Sequence, residues 1–226
     1  IDAVDMESAA VAACCIDEAV RNVVAVGGDP DHCAILDNFC WGNCEDPAKL
    51  GALVRAAEGC RDAARKLGVP FISGKDSLNN EFVTDKGDRI AIPGTLLISS
   101  LAIVEDVSRC VTMDLKQPGN LLYLLGRTAP ALGGSHYFRL LGFVGNRVPE
   151  VDFTLARRTY QALHRAIGKG LVRSAHDCSE GGLAVALAEM AFAGGWGAAV
   201  SLAEVARSAR LTAADELLFS ESPSRL

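Results

Sequence analysis

Aromatic residues are scarce in this chain: Phe, Trp and Tyr make up 6% of its 226 residues. A core with so few rings has to be assembled from Ala, Val, Leu and Ile, and such side chains favour close packing of helices on sheets. No apolar run approaches the roughly 20 residues that a membrane helix needs, and no signal-peptide pattern opens the chain. No block of Lys or Arg interrupts a formal net charge of −6. Duplex nucleic acid is therefore a poor partner, and a membrane is not expected as one either.

Other signatures are missing too. The eight cysteines, Cys14, Cys15, Cys33, Cys40, Cys44, Cys60, Cys110 and Cys178, form no paired C-x-x-C elements. Cys40 and Cys44 suggest half a zinc site, but no second pair or well-spaced His follows. Small buried thiols in a reducing cytoplasm are the plainer reading. A Walker motif needs Gly at position 69 and Ser or Thr at 76; this chain has Val69 and Asp76. His176, Asp177 and Ser179 lack the G-x-S-x-G elbow of a hydrolase. Ile1 is not Met, and the chain stops at Leu226 just after a loop motif. The expectation is a piece cut from a longer polypeptide.

What is present alternates. Helical spacing runs from residue 6 to 24, with Asp5 a plausible start, and Gly27-Gly28-Asp29-Pro30 stops it. Residues 32–38 read as a buried strand, 39–47 as a loop, 48–67 as a helix ended by Gly68, and 69–72 as a strand. That strand empties into S-G-K-D-S-L-N-N-E (73–81), a small-residue polar loop whose backbone N–H groups could bind phosphate oxygens. Further strands are expected at 94–104, 121–126, 171–175, 194–200 and 217–220, and 110–115, within a charged connection, could still pair as a strand. Further helices are expected at 153–167 and 182–193. Helices and strands thus alternate on both sides of a break near residue 115, which predicts two α/β units, each with helices on a sheet.

Several side chains could carry chemistry. Glu18 and Asn22 sit four apart and share a helix face, so both could offer oxygens to Mg²⁺; the alternative is a solvated helix end. Asp37 lies at the end of a buried strand, either as a turn cap or as a ligand contact. H-D-C-S-E-G-G-L (176–183) joins a strand to a helix whose N-terminus favours an anion. Asp177 could hold a metal there while Ser179 meets a phosphate, or Ser179 could be an ordinary N-cap. G-G-S-H-Y (133–137) is a second candidate anion turn, and Arg225 could touch an anionic substrate.

Taken in order, L-D-N-F-C-W-G-N (36–43), S-G-K-D-S-L-N-N-E (73–81), L-G-G-S-H-Y (132–137), H-D-C-S-E-G-G-L-A-V-A-L-A-E-M (176–190) and L-F-S-E-S-P-S-R (218–225) resemble phosphoribosylformylglycinamidine synthase. The likeness is to the second of that enzyme's two homologous halves, themselves similar to aminoimidazole ribonucleotide synthase. The resemblance implies an α/β (α+β) fold of two domains with helices on mixed sheets, truncated at both ends. Residues 1–114 would form the N-terminal synthase-like domain and 115–226 the C-terminal one. It implies part of an ATP-dependent carbon–nitrogen ligase of purine biosynthesis. Formylglycinamide ribonucleotide, ATP and glutamine or ammonia would give formylglycinamidine ribonucleotide, ADP and phosphate.

By position, the resemblance maps Asp37, Gly74 and Ser179 onto nucleotide-binding roles, Ser77 onto a substrate contact, and Glu18, Asn22 and Asp177 onto metal ligands. Lys75 departs from shorter-type relatives, which often carry a metal-binding Asn there, so no metal role is carried over. The family's catalytic histidine lies in the other half, so no catalytic residue is assigned. The implied cofactors are ATP or ADP with Mg²⁺. The implied partners are the homologous first half and a glutaminase, in the cytoplasm. The alternative is a non-catalytic structural half holding an auxiliary ADP–Mg²⁺.

Overall fold

The first helix follows from alanine placed at helical spacing. The computed structural model describes residues 8–226, and α1 spans Ser8–Ala25. The predicted start at Asp5 and Met6 lies outside the described residues. Ala12, Ile16, Ala19, Val20 and Val24 are buried along α1, a stripe of period near 3.6 that faces one core. Gly27 then adopts φ +113° and turns the chain.

β1 (Cys33–Cys40) runs through the middle of a three-stranded sheet of order β2-β1-β5, with β2 at Phe71–Ser77 and β5 at Thr95–Ala102. β1 pairs in parallel with β2 and antiparallel with β5. The parallel pair needs a crossover, and α2 (Pro47–Leu67) supplies it. The Asp46 side chain accepts from the Ala48 N–H, Pro47 opens the helix, and Gly68 closes it in the left-handed region, as helix-end preferences require. A Cβ on Gly59 would lie 2.4 Å from the Ala9 carbonyl oxygen, so only glycine lets α1 and α2 approach this closely.

One face of the sheet packs on these helices. Ile35 and Phe39 are buried there, and Phe71, Leu96 and Ile98 pack against the same cluster. Ser100 Oγ donates to the Ala19 carbonyl at 2.6 Å and pins the sheet to α1. By strand alternation the other face carries Ile72, Leu97 and Leu101, which are 57%, 59% and 55% exposed. A small hairpin, β3 (Glu81–Val83) with β4 (Arg89–Ala91), stands beyond β2.

The second half is helical: α3 (His136–Leu140), α4 (Phe153–Gly168), α5 (Gly182–Gly194), α6 (Ala203–Ala209) and α7 (Ala214–Phe219). Ala156, Tyr160, Leu163 and Ile167 repeat along α4 and enter the same core as α1 and α2. A smaller cluster, Cys178, Leu183 and Ala186, sits under α5.

Several sequence expectations are corrected. Residues 73–77 are not a loop: they continue β2, with Asp37 opposite Gly74 and Phe39 opposite Asp76. Pairing with β1 holds this stretch extended, so it lacks the curled backbone of a phosphate nest. Among the described residues both sheets lie within 33–102, so the expected strands at 110–115, 121–126, 171–175 and 194–200 do not form. Residues 217–219 belong to helix α7, which carries Asp215 and Glu216 in its first turn, where acidic groups favour a helix.

Candidate functional site

α1 places two neighbouring stripes on one side of its axis. Glu18 and Asn22 form the outer stripe, Asp17 and Arg21 the inner one. The outer pair faces a cavity of about 300 Å³ that is also lined by His176, Asp177, Ser179 and Glu180 from the loop before α5, and by Glu189 of α5. The structure therefore brings together four of the residues singled out from sequence: Glu18, Asn22, Asp177 and Ser179.

The cavity is acidic, and its charges are tuned differently. Burial pushes the Glu18 carboxyl up despite nearby Arg21, and Glu180 and Asp177 add to the rise. Burial would raise Asp177 as well, but hydrogen bonds from His176 and Ser179, with Arg21 close by, outweigh it and hold Asp177 at about 2. His176 bridges two acids, with Nδ1 at 3.3 Å from Asp177 Oδ1 and Nε2 at 2.7 Å from Glu189 Oε2. The bond to Asp177 is the main cause of its raised pKa. Ser179 Oγ accepts from Arg21 Nη2 at 2.9 Å and donates to Asp177 Oδ2.

Among the described residues no three His, Cys, Asp or Glu side chains converge as a ready-made metal cage. Of the four carboxylates and one amide that line the cavity, Glu18, Asp177 and Asn22 offer hard oxygens with space beside them. Mg²⁺ is commonly held that way, by one or two carboxylates with waters and phosphate oxygens completing its shell. The hard-oxygen donor set fits that ion.

The other expected site residues lie on the sheet, outside this cavity. Asp37 faces Gly74 across the β1–β2 ladder. A Cβ at Gly74 would stand 2.3 Å from Asp37 Oδ1, so this glycine makes room for a carboxylate. Burial raises the pKa of Asp37, and Asp76 adds to the rise. Ser77 Oγ accepts from Lys75 Nζ at 2.8 Å.

One further expectation fails on geometry. Arg225 cannot touch a substrate. It is fully buried and donates to Thr128 Oγ1 and to the Ser220 and Ser222 carbonyls. In each candidate anion turn one backbone N–H is taken by the same internal carboxylate. Glu221 Oε1 accepts from the His136 N–H at 2.9 Å and the Gly181 N–H at 2.8 Å. Ser179 is not the N-cap of α5 either; Gly181 holds that position without a side-chain bond. Sequence reasoning missed Asp17 and Arg21, although their i,i+4 spacing is the one that exposed Glu18 and Asn22.

Comparison with known proteins places the chain in a family. The family described as AIR synthase related protein, N-terminal domain, matches residues 1–97, and its C-terminal domain matches residues 117–226. The phosphoribosylformylglycinamidine synthase subunit PurL of Synechococcus sp. is 42% identical over 213 residues, covering 93% of this chain and 27% of the relative. Among solved structures, Thermotoga maritima PurL complexed with FGAR superposes with a TM-score of 0.70 at 21% identity, over 95% of this chain and 33% of that one. The same protein complexed with ADP gives 0.67 at 22% identity, over 98% and 32%. This chain thus spans about a third or less of the length of these relatives.

Proposed function

We infer the function from one premise: the chain belongs to the AIR synthase related protein family. It forms part of an ATP-dependent amidoligase that converts formylglycinamide ribonucleotide, ATP and glutamine or ammonia to formylglycinamidine ribonucleotide, ADP and phosphate. The observation that carries this reading is the convergence of Glu18, Asn22, Asp177 and Ser179 on one acidic cavity. Glu18, Asn22 and Asp177 would hold Mg²⁺, and Ser179 would meet a phosphate oxygen of the nucleotide. When bound, the ion offsets charge on the polyphosphate.

Asp37 and Gly74 would contact nucleotide and Ser77 the substrate; their support is their shared place where β1 and β2 pair. Separate family matches to 1–97 and 117–226 support a division into domains at 1–114 and 115–226. The bare apolar face of the sheet, with Ile72, Leu97 and Leu101, suits a homologous half as partner. A glutaminase would supply ammonia. Eight free thiols support a reducing cytoplasm.

A second reading has its own support. The cavity's lining does not include Asp37, Gly74 or Ser77, which suits an auxiliary ADP–Mg²⁺ kept as scaffold. Fluorescent nucleotide exchange tests the choice. Fast exchange with amidine formation, once the partner half is added, supports the working site. Nucleotide retained through dialysis without turnover supports the scaffold. No nucleotide binding at all overturns both.

A further inference from the structure

Asp17 lies beside Glu18 on α1, is fully buried, and is not part of the cavity lining. Its carboxylate gathers an unusual set of donors. Oδ1 accepts from the Tyr160 hydroxyl at 2.5 Å and the Ser224 hydroxyl at 2.6 Å. Oδ2 accepts from the Ser224 N–H at 2.8 Å and Arg21 Nη1 at 2.6 Å. The donors come from α4, from the last residues of the chain and from α1, so the carboxylate cannot swing without breaking contacts to all three. Arg21 is also buried. Its Nη2 reaches Ser179 Oγ, while its Nε makes no hydrogen bond and lies 4.0 Å from Asp177 Oδ2.

We propose that Asp17 is a positioning residue whose carboxylate holds the Arg21 guanidinium off Asp177, keeps Asp177 free for a divalent cation, and through Arg21 sets the direction of the Ser179 hydroxyl. The proposal rests on the reading of the cavity as a cation–polyphosphate site. A buried guanidinium must be paired, because an unpaired charge in the interior is strongly unfavourable. Two carboxylates stand within reach of Arg21, and only one can be spared. Asp17, locked by three other donors, takes the charge. Without it the nearest acid to Arg21 is Asp177, and the guanidinium becomes an internal competitor for the site.

Ser179 follows from the same clamp. A hydroxyl has a single proton to donate. Arg21 occupies a lone pair of Ser179 Oγ and fixes it from the acceptor side, so the proton goes to Asp177 Oδ2. A cation that takes this oxygen removes the acceptor and turns the same proton toward a phosphate oxygen of the ligand. Asp17 thereby couples the cation and the polyphosphate without touching either.

Titration of the full chain with Mn²⁺, followed by electron paramagnetic resonance of the free ion, tests this. Wild type is expected to bind saturably. If it does not, the cavity reading fails and the proposal with it. If wild type binds and folded Asp17→Asn binds equally well, the proposal alone is overturned. The expected result for Asp17→Asn is a loss of at least about tenfold, since one charge moves next to the site. The double variant Asp17→Asn/Arg21→Gln removes the competitor together with its clamp and is expected to return to within about threefold of wild type. A merely structural role for Asp17 predicts that the double variant stays as weak as the single one, and that result overturns the proposal. If Asp17→Asn does not fold, the double variant decides: affinity near wild type supports the clamp, and a folded protein that has lost tenfold or more contradicts it.

Discussion

The two halves of this chain handle apolar segments in opposite ways. In residues 33–102 each long strand finds a partner: β1 pairs on both edges, and the helix-facing side of the sheet is covered by α1 and α2. In residues 115–226 the apolar runs that look like strands pair with no strand. Leu121, Tyr123 and Leu171 are 76%, 76% and 73% exposed. Isolated backbone bonds, such as the reciprocal pair between Leu125 and Leu226, and partial packing of Leu124, Leu125, Val172 and Ala175 against the apolar clusters tie those runs down. The lesson is that a strand is a property of a pair. Composition marks a segment as able to pair, but a ladder needs a second edge at the right place.

The sharpest way to break this comparison is to truncate one apolar side chain in each half. Ile35→Ala, at a fully buried site on β1, is expected to cost about 2–5 kcal/mol. Leu171→Ser, in an unpaired run, is expected to stay within about 0.5 kcal/mol. Urea unfolding of both variants checks this, and equal losses would erase the contrast between the halves. A smaller effect is expected at the strand that the sequence disguised as a loop. Gly74→Ala forces a methyl group onto the Asp37 carboxylate and should cost about 1–3 kcal/mol. Adding Asp37→Ala should remove most of that cost in a double-mutant cycle. If Gly74→Ala is neutral, residues 73–77 are not held in the β1 ladder.

The smallest effect concerns pH. Asp29 and His32 lie between α1 and β1, 2.7 Å apart. The hydrogen bond to Asp29 raises the His32 pKa above 6.5. Burial alone would push Asp29 up, but the bonds from His32 and from the Asp31 N–H, with the charges of His164 and His32, together outweigh it and bring Asp29 below 3.8. The stabilisation from raised His32 is present below its unfolded value of 6.5 and fades as pH climbs through the folded value. The part from lowered Asp29 is present above 3.8 and fades as pH falls through its folded value. The pair is therefore at full strength between about pH 4 and 6. His32→Ala should flatten the fall in thermal midpoint between pH 6 and 8 by a barely resolvable amount, because the pair is exposed.

Much of the first half was legible in local signals. Asp46, Pro47 and Gly68 mark both ends of α2, and alternation marks β5. β2 was legible only as far as Ile72. Ser73, Gly74, Lys75 and Asp76 are turn-forming residue types, and what keeps them extended is a neighbour more than thirty residues away in β1. α7 was misread although its acidic first turn was in plain view. The same divide runs through the site. Glu18 and Asn22 emerged from helical spacing, and Asp177 and Ser179 from a loop that feeds a helix. Helical spacing could have paired Asp17 with Arg21, but the role of Asp17 depends on Tyr160, separated from it by 143 residues. Arg225 looked available to a ligand until the fold showed it buried, and the two backbone N–H groups bonded to Glu221 lie too far apart in sequence for local patterns to pair them.

The central claim is that Glu18, Asn22, Asp177 and Ser179 form a magnesium-dependent nucleotide site. Calorimetric titration of wild type and Asp177→Ala with ADP, each with Mg²⁺ and with EDTA, addresses it most directly. The account predicts binding by wild type that requires Mg²⁺ and no measurable binding by the variant. Equal affinity in the two proteins, or binding by wild type that ignores EDTA, would contradict it.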